Sequence, residues 1–170
     1  DPDNRLLGRM SIRRLETESI RDSLLALSGR LSSKMYGPPA PVSYDLAGQQ
    51  VIVAVNPYNG SGQIRKGLAE LGENEFRRAV YVQVRRSMPL GVLEPFDLPA
   101  MRPNCESRVS STVAPQSLFM MNNPFVIQQV QSLAARVQSE AGSDLDAQFC
   151  MAWRLVFGRN PSDAELRAGL

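Results

Sequence analysis

The chain contains no histidine, and that absence removes a good deal of chemistry. Without an imidazole there is no histidine-dependent catalytic triad, no zinc site built on His and no haem attached through Cys-x-x-Cys-His. Cysteine is scarce too: Cys105 and Cys150 are the only two, so the four thiolate or imidazole ligands of a structural zinc site cannot be assembled. No apolar run approaches the ~18 residues of a membrane span, and no charged, apolar and small-residue signal opens the chain. Neither sign of charge dominates. The 19 basic and 17 acidic residues leave a formal +2, which argues against nucleic-acid binding, where a strong basic excess is expected.

What is present is enough for one domain with a sizeable core: 170 residues, 43% of them apolar, too few for two comfortable domains. The basic residues are almost all arginine, with Lys34 and Lys66 the only lysines. Arginine is the better planar, bidentate partner for carboxylate, sulfate or phosphate, although genome composition is a plainer source of the bias. The chain opens at Asp1 without Met and closes at Leu170 inside a young helix, so it is expected to be a fragment of a longer protein.

Ile20, Leu24, Leu27 and Leu31 recur at helical spacing, and Gly29 supplies a stop. Arg14, Glu18 and Arg21 on the same helix are expected to form solvated ion pairs. The prolines of Gly37-Pro38-Pro39-Ala40-Pro41 make a loop or spacer. Two β-branched runs, Val51 to Val55 and Val80 to Val84, predict two strands that could pair. Between them lie a turn-rich loop, Asn56 to Gly62, and a helix over Gln63 to Leu71. Five prolines mark residues 88–115 as a long irregular segment, held by Leu90, Val92, Leu93, Phe96 and Leu98.

Beyond it, Gln116 to Met121 reads as a short helical turn, and Asn123-Pro124 as a cap with Pro at the first helical position. Val126, Val130, Leu133 and Val137 form the next stripe. Asp144 caps a helix bearing Leu145, Phe149, Trp153 and Val156, which Gly158 ends. Ser162 and Glu165 have capping-box spacing. The fold class is therefore α+β: mainly α-helical, with a small two- or few-stranded β element and a C-terminal helical pair over 143–170 whose last helix is truncated.

Few constellations carry chemistry. Strand, Asn59-Gly60-Ser61-Gly62 and helix have the order of a phosphate-binding unit. However, Arg65 stands where a third Gly is wanted, and Leu68 follows Gly67 where Lys is required. Arg77, Arg78, Arg85 and Arg86 bracket the second predicted strand and could clamp an anion or a partner's carboxylates. Adjacent strand residues point to opposite faces, so only one of each pair can serve a given site, and solvated edge protection is the plainer role. Cys105 and Cys150 are either bridged or, as the apolar setting of Cys150 favours, free thiols. Glu94, Asp97 and Glu106 are the carboxylates that a hydrolase without histidine could pair.

Several motifs together resemble one family. They are Asn4-Arg5-Leu6-Leu7, Arg14-Leu15-Glu16 with Glu18-Ser19-Ile20-Arg21-Asp22, Arg77-Arg78-Ala79-Val80-Tyr81-Val82, Leu93-Glu94-x-Phe96-Asp97, Asn104-Cys105-x-x-Arg108, Thr112 to Leu118 through Asn122, and Gly158-Arg159-x-Pro161-Ser162-x-x-Glu165-Leu166. They are similar to a C-terminal domain of unknown function in large planctomycete proteins. Gly8 stands where Trp is common, and residues 45–72 have no clear counterpart. The resemblance implies an exported, periplasmic or cell-surface protein, with a c-type-cytochrome-like module upstream. Any haem would belong there, and none is expected in this fragment.

The functional expectation is a non-catalytic binding or scaffolding module that contacts another domain of the same protein or an anionic polysaccharide. Its candidate binding residues are Arg77, Arg78, Arg85, Arg86, Asp97, Arg108, Gln116 and Asn122. An accessory part of a redox enzyme, or a carboxylate-based hydrolase, is the alternative. The motif residues also have an architectural reading, in which Gln116, Asn122 and Cys105 satisfy loop backbone and Arg86 and Arg108 pair with Asp97 or Glu94.

Overall fold

The computed structural model describes residues 3–10, 13–45, 48–53, 71–85, 87–99 and 111–169. The nucleotide-loop motif, the Gln63 to Leu71 helix apart from its last residue, Arg86, Cys105, Glu106 and Arg108 lie outside them. The described residues form five helices: α1 (Thr17–Leu27), α2 (Ala114–Asn122), α3 (Pro124–Ala141), α4 (Leu145–Phe157) and α5 (Asp163–Gly169). One two-stranded antiparallel sheet joins them, β1 (Val42–Tyr44) with β2 (Gln50–Ile52), in the register Val42–Ile52, Ser43–Val51 and Tyr44–Gln50. Mainly helical architecture with a small sheet and C-terminal helices is what the sequence implies.

Helix α1 stops at Gly29, whose φ of 74° suits glycine. Its inner face is not the aliphatic stripe expected. Thr17, Arg21, Leu25 and Ser28 are buried, while Ile20, Leu24 and Leu27 are only half-buried. The helix has turned because polar groups on this face find partners inside. Thr17 Oγ1 donates to Leu93 O at 2.9 Å, and Ser28 Oγ lies 3.0 Å from Gln129 Oε1 on α3. Across the same contact Arg136 of α3 donates to Leu27 O at 3.1 Å, so a side chain takes up a carbonyl that the helix end leaves open.

The second predicted strand is not one. Asp22 accepts the Ala79 N–H at 2.7 Å, and Arg78 to Val82 folds into a 3-10 turn, with Tyr81 N donating to Arg78 O and Val82 N to Ala79 O. Residues three apart then share a face: Ala79 and Val82 go in, and Val80 is left 72% exposed. Beyond the turn the chain is extended, and a single parallel bridge links Val82 to Ala40. β2 therefore pairs with the segment just after the proline spacer. Ala40, Val42, Ile52, Val82, Leu90 and Leu93 make the core beneath the sheet. Phe96 closes its end, edge-on to Phe119 of α2 at 5.7 Å.

Helix α3 packs on α1, α2 and α4, and α4 on α5. Asn123 caps α3 through the amides of Phe125 and Val126, with Pro124 first in the helix, as expected. The buried stripe of α3 differs by one position: Gln129 faces inward and Val130 is 55% exposed, because Gln129 meets Ser28 and donates to Phe125 O. Asp144 caps α4, Gly158 ends it in the left-handed region, and Ser162 with Glu165 forms a reciprocal capping box on α5. The Cys150 thiol on α4 is free and half-buried.

Candidate functional site

Two buried arginines organise the layer from which the candidate residues project. Arg21 donates to Arg77 O at 2.8 Å and to Glu75 O at 2.9 Å. Burial pulls its guanidinium down to about 10, while Asp22 and Glu75 oppose the shift, so it stays charged at neutral pH. Arg77 is itself only 2% exposed. Its guanidinium gathers the carbonyls of Lys34, Tyr36 and Pro38 and lies 4.3 Å from the centre of the Tyr81 ring. Tyr36 and Gly37 take φ of 61° and 86°, which is how alternate carbonyls turn toward one point. Arg77 is thus withdrawn from the solvent edge where an anion clamp would need it.

Arg78 and Arg85 remain outside. Both border an open groove of about 450 Å³, whose apolar floor includes Val82, Leu90, Leu93 and Leu98. Arg78 faces the Asp22 carboxylate at 3.5 Å, and Arg85 Nε donates to Gln83 Oε1 at 3.1 Å. Glu18 also reaches the rim. These four charged side chains sum to zero, so attraction for an anion is local to the Arg85 end and does not extend over the whole groove.

The other candidates build a staple. Asp97 sits in the left-handed region, at φ 60° and ψ 46°, where a short polar side chain is tolerated. Its carboxylate accepts the Ser111 N–H at 2.7 Å and the Ser111 hydroxyl at 2.8 Å. Those two bonds, the backbone one first, hold the Asp97 carboxyl below the usual carboxylate range. Gln116, 5% exposed, accepts from Val113 N–H and donates to Ser111 O. Asp97 and Gln116 therefore converge on Ser111. Asn122 does not join them: exposed on α2, it donates to Leu118 O of its own helix. Glu94 is exposed.

A family model described as a protein of unknown function (DUF1553, PSD1) matches residues 1–170. The chain belongs to the DUF1553 family. No curated protein and no solved structure matches it. In this DUF1553 domain no group of three or more acidic or thiol side chains could hold a metal ion, and no helix is long and apolar enough to cross a membrane, among the described residues. Sequence reasoning missed Arg21, Asp22, Ser111 and Gln129 as organisers. For Arg21 a signal was available: it lies four residues from both Thr17 and Leu25, on one helix face with them.

Proposed function

We propose that this DUF1553 domain is a non-catalytic binding module of an exported multidomain protein, with a c-type-cytochrome-like module upstream. Its contact surface is the groove bordered by Arg78 and Arg85, and its partner is another module of that protein or an anionic polymer. The observation that carries the reading is how the motif's polar groups are used. Arg77, Asp97 and Gln116 spend their hydrogen bonds on their own chain, whereas Arg78 and Arg85 stay exposed beside an open, apolar-floored groove. A hydrolase has less support, because an Asp97 carboxyl held below its usual range makes a poor proton donor.

The test is salt-dependent binding of the purified chain to polygalacturonate and to the upstream modules. The Arg78→Gln/Arg85→Gln double variant is expected to weaken binding about tenfold, the size of one or two charge-assisted contacts. Absence of salt-sensitive binding to either partner would sink the proposal.

A further inference from the structure

The backbone beside this groove carries information that its charges do not. Ala40 N donates to Tyr81 O and Gln83 N to Ala40 O, each at 2.8 Å, so the extended stretch after the 3-10 turn is hydrogen-bonded along one side. Successive residues of an extended chain present their N–H and C=O groups to opposite sides. The Val82 C=O accordingly faces away from Ala40, and among the described residues neither it nor either backbone group of Val84 has a hydrogen-bond partner. Val82 anchors the stretch in the core, and Val84 is 71% exposed at the lip of the groove.

We infer that the groove takes an extended peptide, which adds a strand to the Val82–Val84 edge and sets a carboxylate against Arg85. The inference rests on the binding-module reading and narrows its partner. Strand addition uses an unpaired backbone edge for affinity and neighbouring pockets for alternate side chains, and both are present. The groove's described lining is aliphatic and proline-rich, from Val82 and Leu90 to Pro89 and Pro99, with no aromatic ring on which a sugar could stack. Charge fixes where the acidic residue falls. Asp22 is occupied by the Ala79 N–H and faces Arg21 and Arg78, so Arg78 already has a carboxylate beside it. Arg85 has no carboxylate among its described partners, and beyond its Nε bond to Gln83 its two Nη groups are open.

The experiment is fluorescence anisotropy on the 170-residue chain with a labelled octapeptide of alternating valine and glutamate. The same peptide N-methylated at alternate amides, and polygalacturonate, serve as comparison probes. Val84→Pro removes the edge donor, and far-UV circular dichroism checks that this variant stays folded. Binding of the plain peptide is expected to weaken at least about tenfold in Val84→Pro, in Arg85→Gln and on N-methylation. The methylated probe gives its answer on the unaltered protein, whether or not the proline variant folds.

Equal binding of plain and methylated peptides would overturn strand addition. Salt-sensitive binding of polygalacturonate without peptide binding would overturn the peptide assignment and leave the binding-module reading standing. If neither the peptide, nor the polymer, nor the upstream modules bind, both fall.

Discussion

The layer around α1 and the helical pair α4–α5 are held together in opposite ways. Around α1, charged and polar side chains are buried, and Thr17, Arg21 and Arg77 each reach a backbone group far along the chain. Arg21 spans 54 and 56 residues to its two carbonyls, and Arg77 spans 39 to 43. In α4–α5 no residue is fully buried, and beside the packing of α4 on α3 the polar fastenings are local. They are the Asp144 cap, the Gly158 stop, the Ser162–Glu165 box, and the Arg159–Glu165 pair six residues apart. Long-range burial gives the first region a single arrangement, while the second keeps helical form with little help from a core.

The largest expected effect lies in the first region. Arg77→Ala strands three carbonyls, each costing roughly 1–3 kcal/mol if left unpaired, and water relieves part of that. A loss of about 3–5 kcal/mol is expected, as for breaking other buried charged contacts, and urea denaturation would read it. A loss near zero would mean that the three carbonyls are readily hydrated and that the contrast between the regions is overstated.

Asp144→Ala should cost only about 1 kcal/mol, the usual worth of an N-cap. Its effect should be confined to the first turn of α4, seen as faster amide exchange there and unchanged exchange in α1. Global destabilisation would instead show the helical pair to be integral to the core.

The smallest effect is one of pH. The Arg159 guanidinium, with Ser162 assisting, holds the Glu165 carboxyl down at about 2 against an ordinary 4.5. A depressed carboxyl stabilises the fold above its unfolded value, and the contribution is lost as pH falls toward the folded one. The start of α5 should therefore loosen between pH 4.5 and about 2, and Glu165→Gln should abolish that step in a helicity titration.

The same contrast explains what could be read from the sequence. Caps and stops are made by neighbours, so Asn123-Pro124, Asp144, Gly158 and Ser162 announce their helices locally. An arginine that grips carbonyls leaves no such mark, because every residue has a carbonyl and nothing in the composition of 34–38 says which will be gathered. The hydrophobic pattern misled for a related reason. Val80, Val82 and Val84 alternate like a strand, but the Asp22 carboxylate, 57 residues from Ala79, imposes a tight turn that propensity cannot oppose. Of the candidate site, Arg78, Arg85, Asp97 and Gln116 were legible as residue types, and the convergence of Asp97 and Gln116 on Ser111 was not.

The grip of Arg77 also bears on the vulnerability of the chain to attack. Residues 31–40 contain neither helix nor strand, which ordinarily marks a stretch that proteases cut and solvent protons reach quickly. Here three of its carbonyls converge on one buried cation, while the amides of Ser32 and Ala40 are fixed to Phe76 and Tyr81. Releasing this loop means dismantling the layer beneath it. It should therefore resist nicking and open only with the whole domain, which leaves an irregular segment among the last parts of the molecule to come undone.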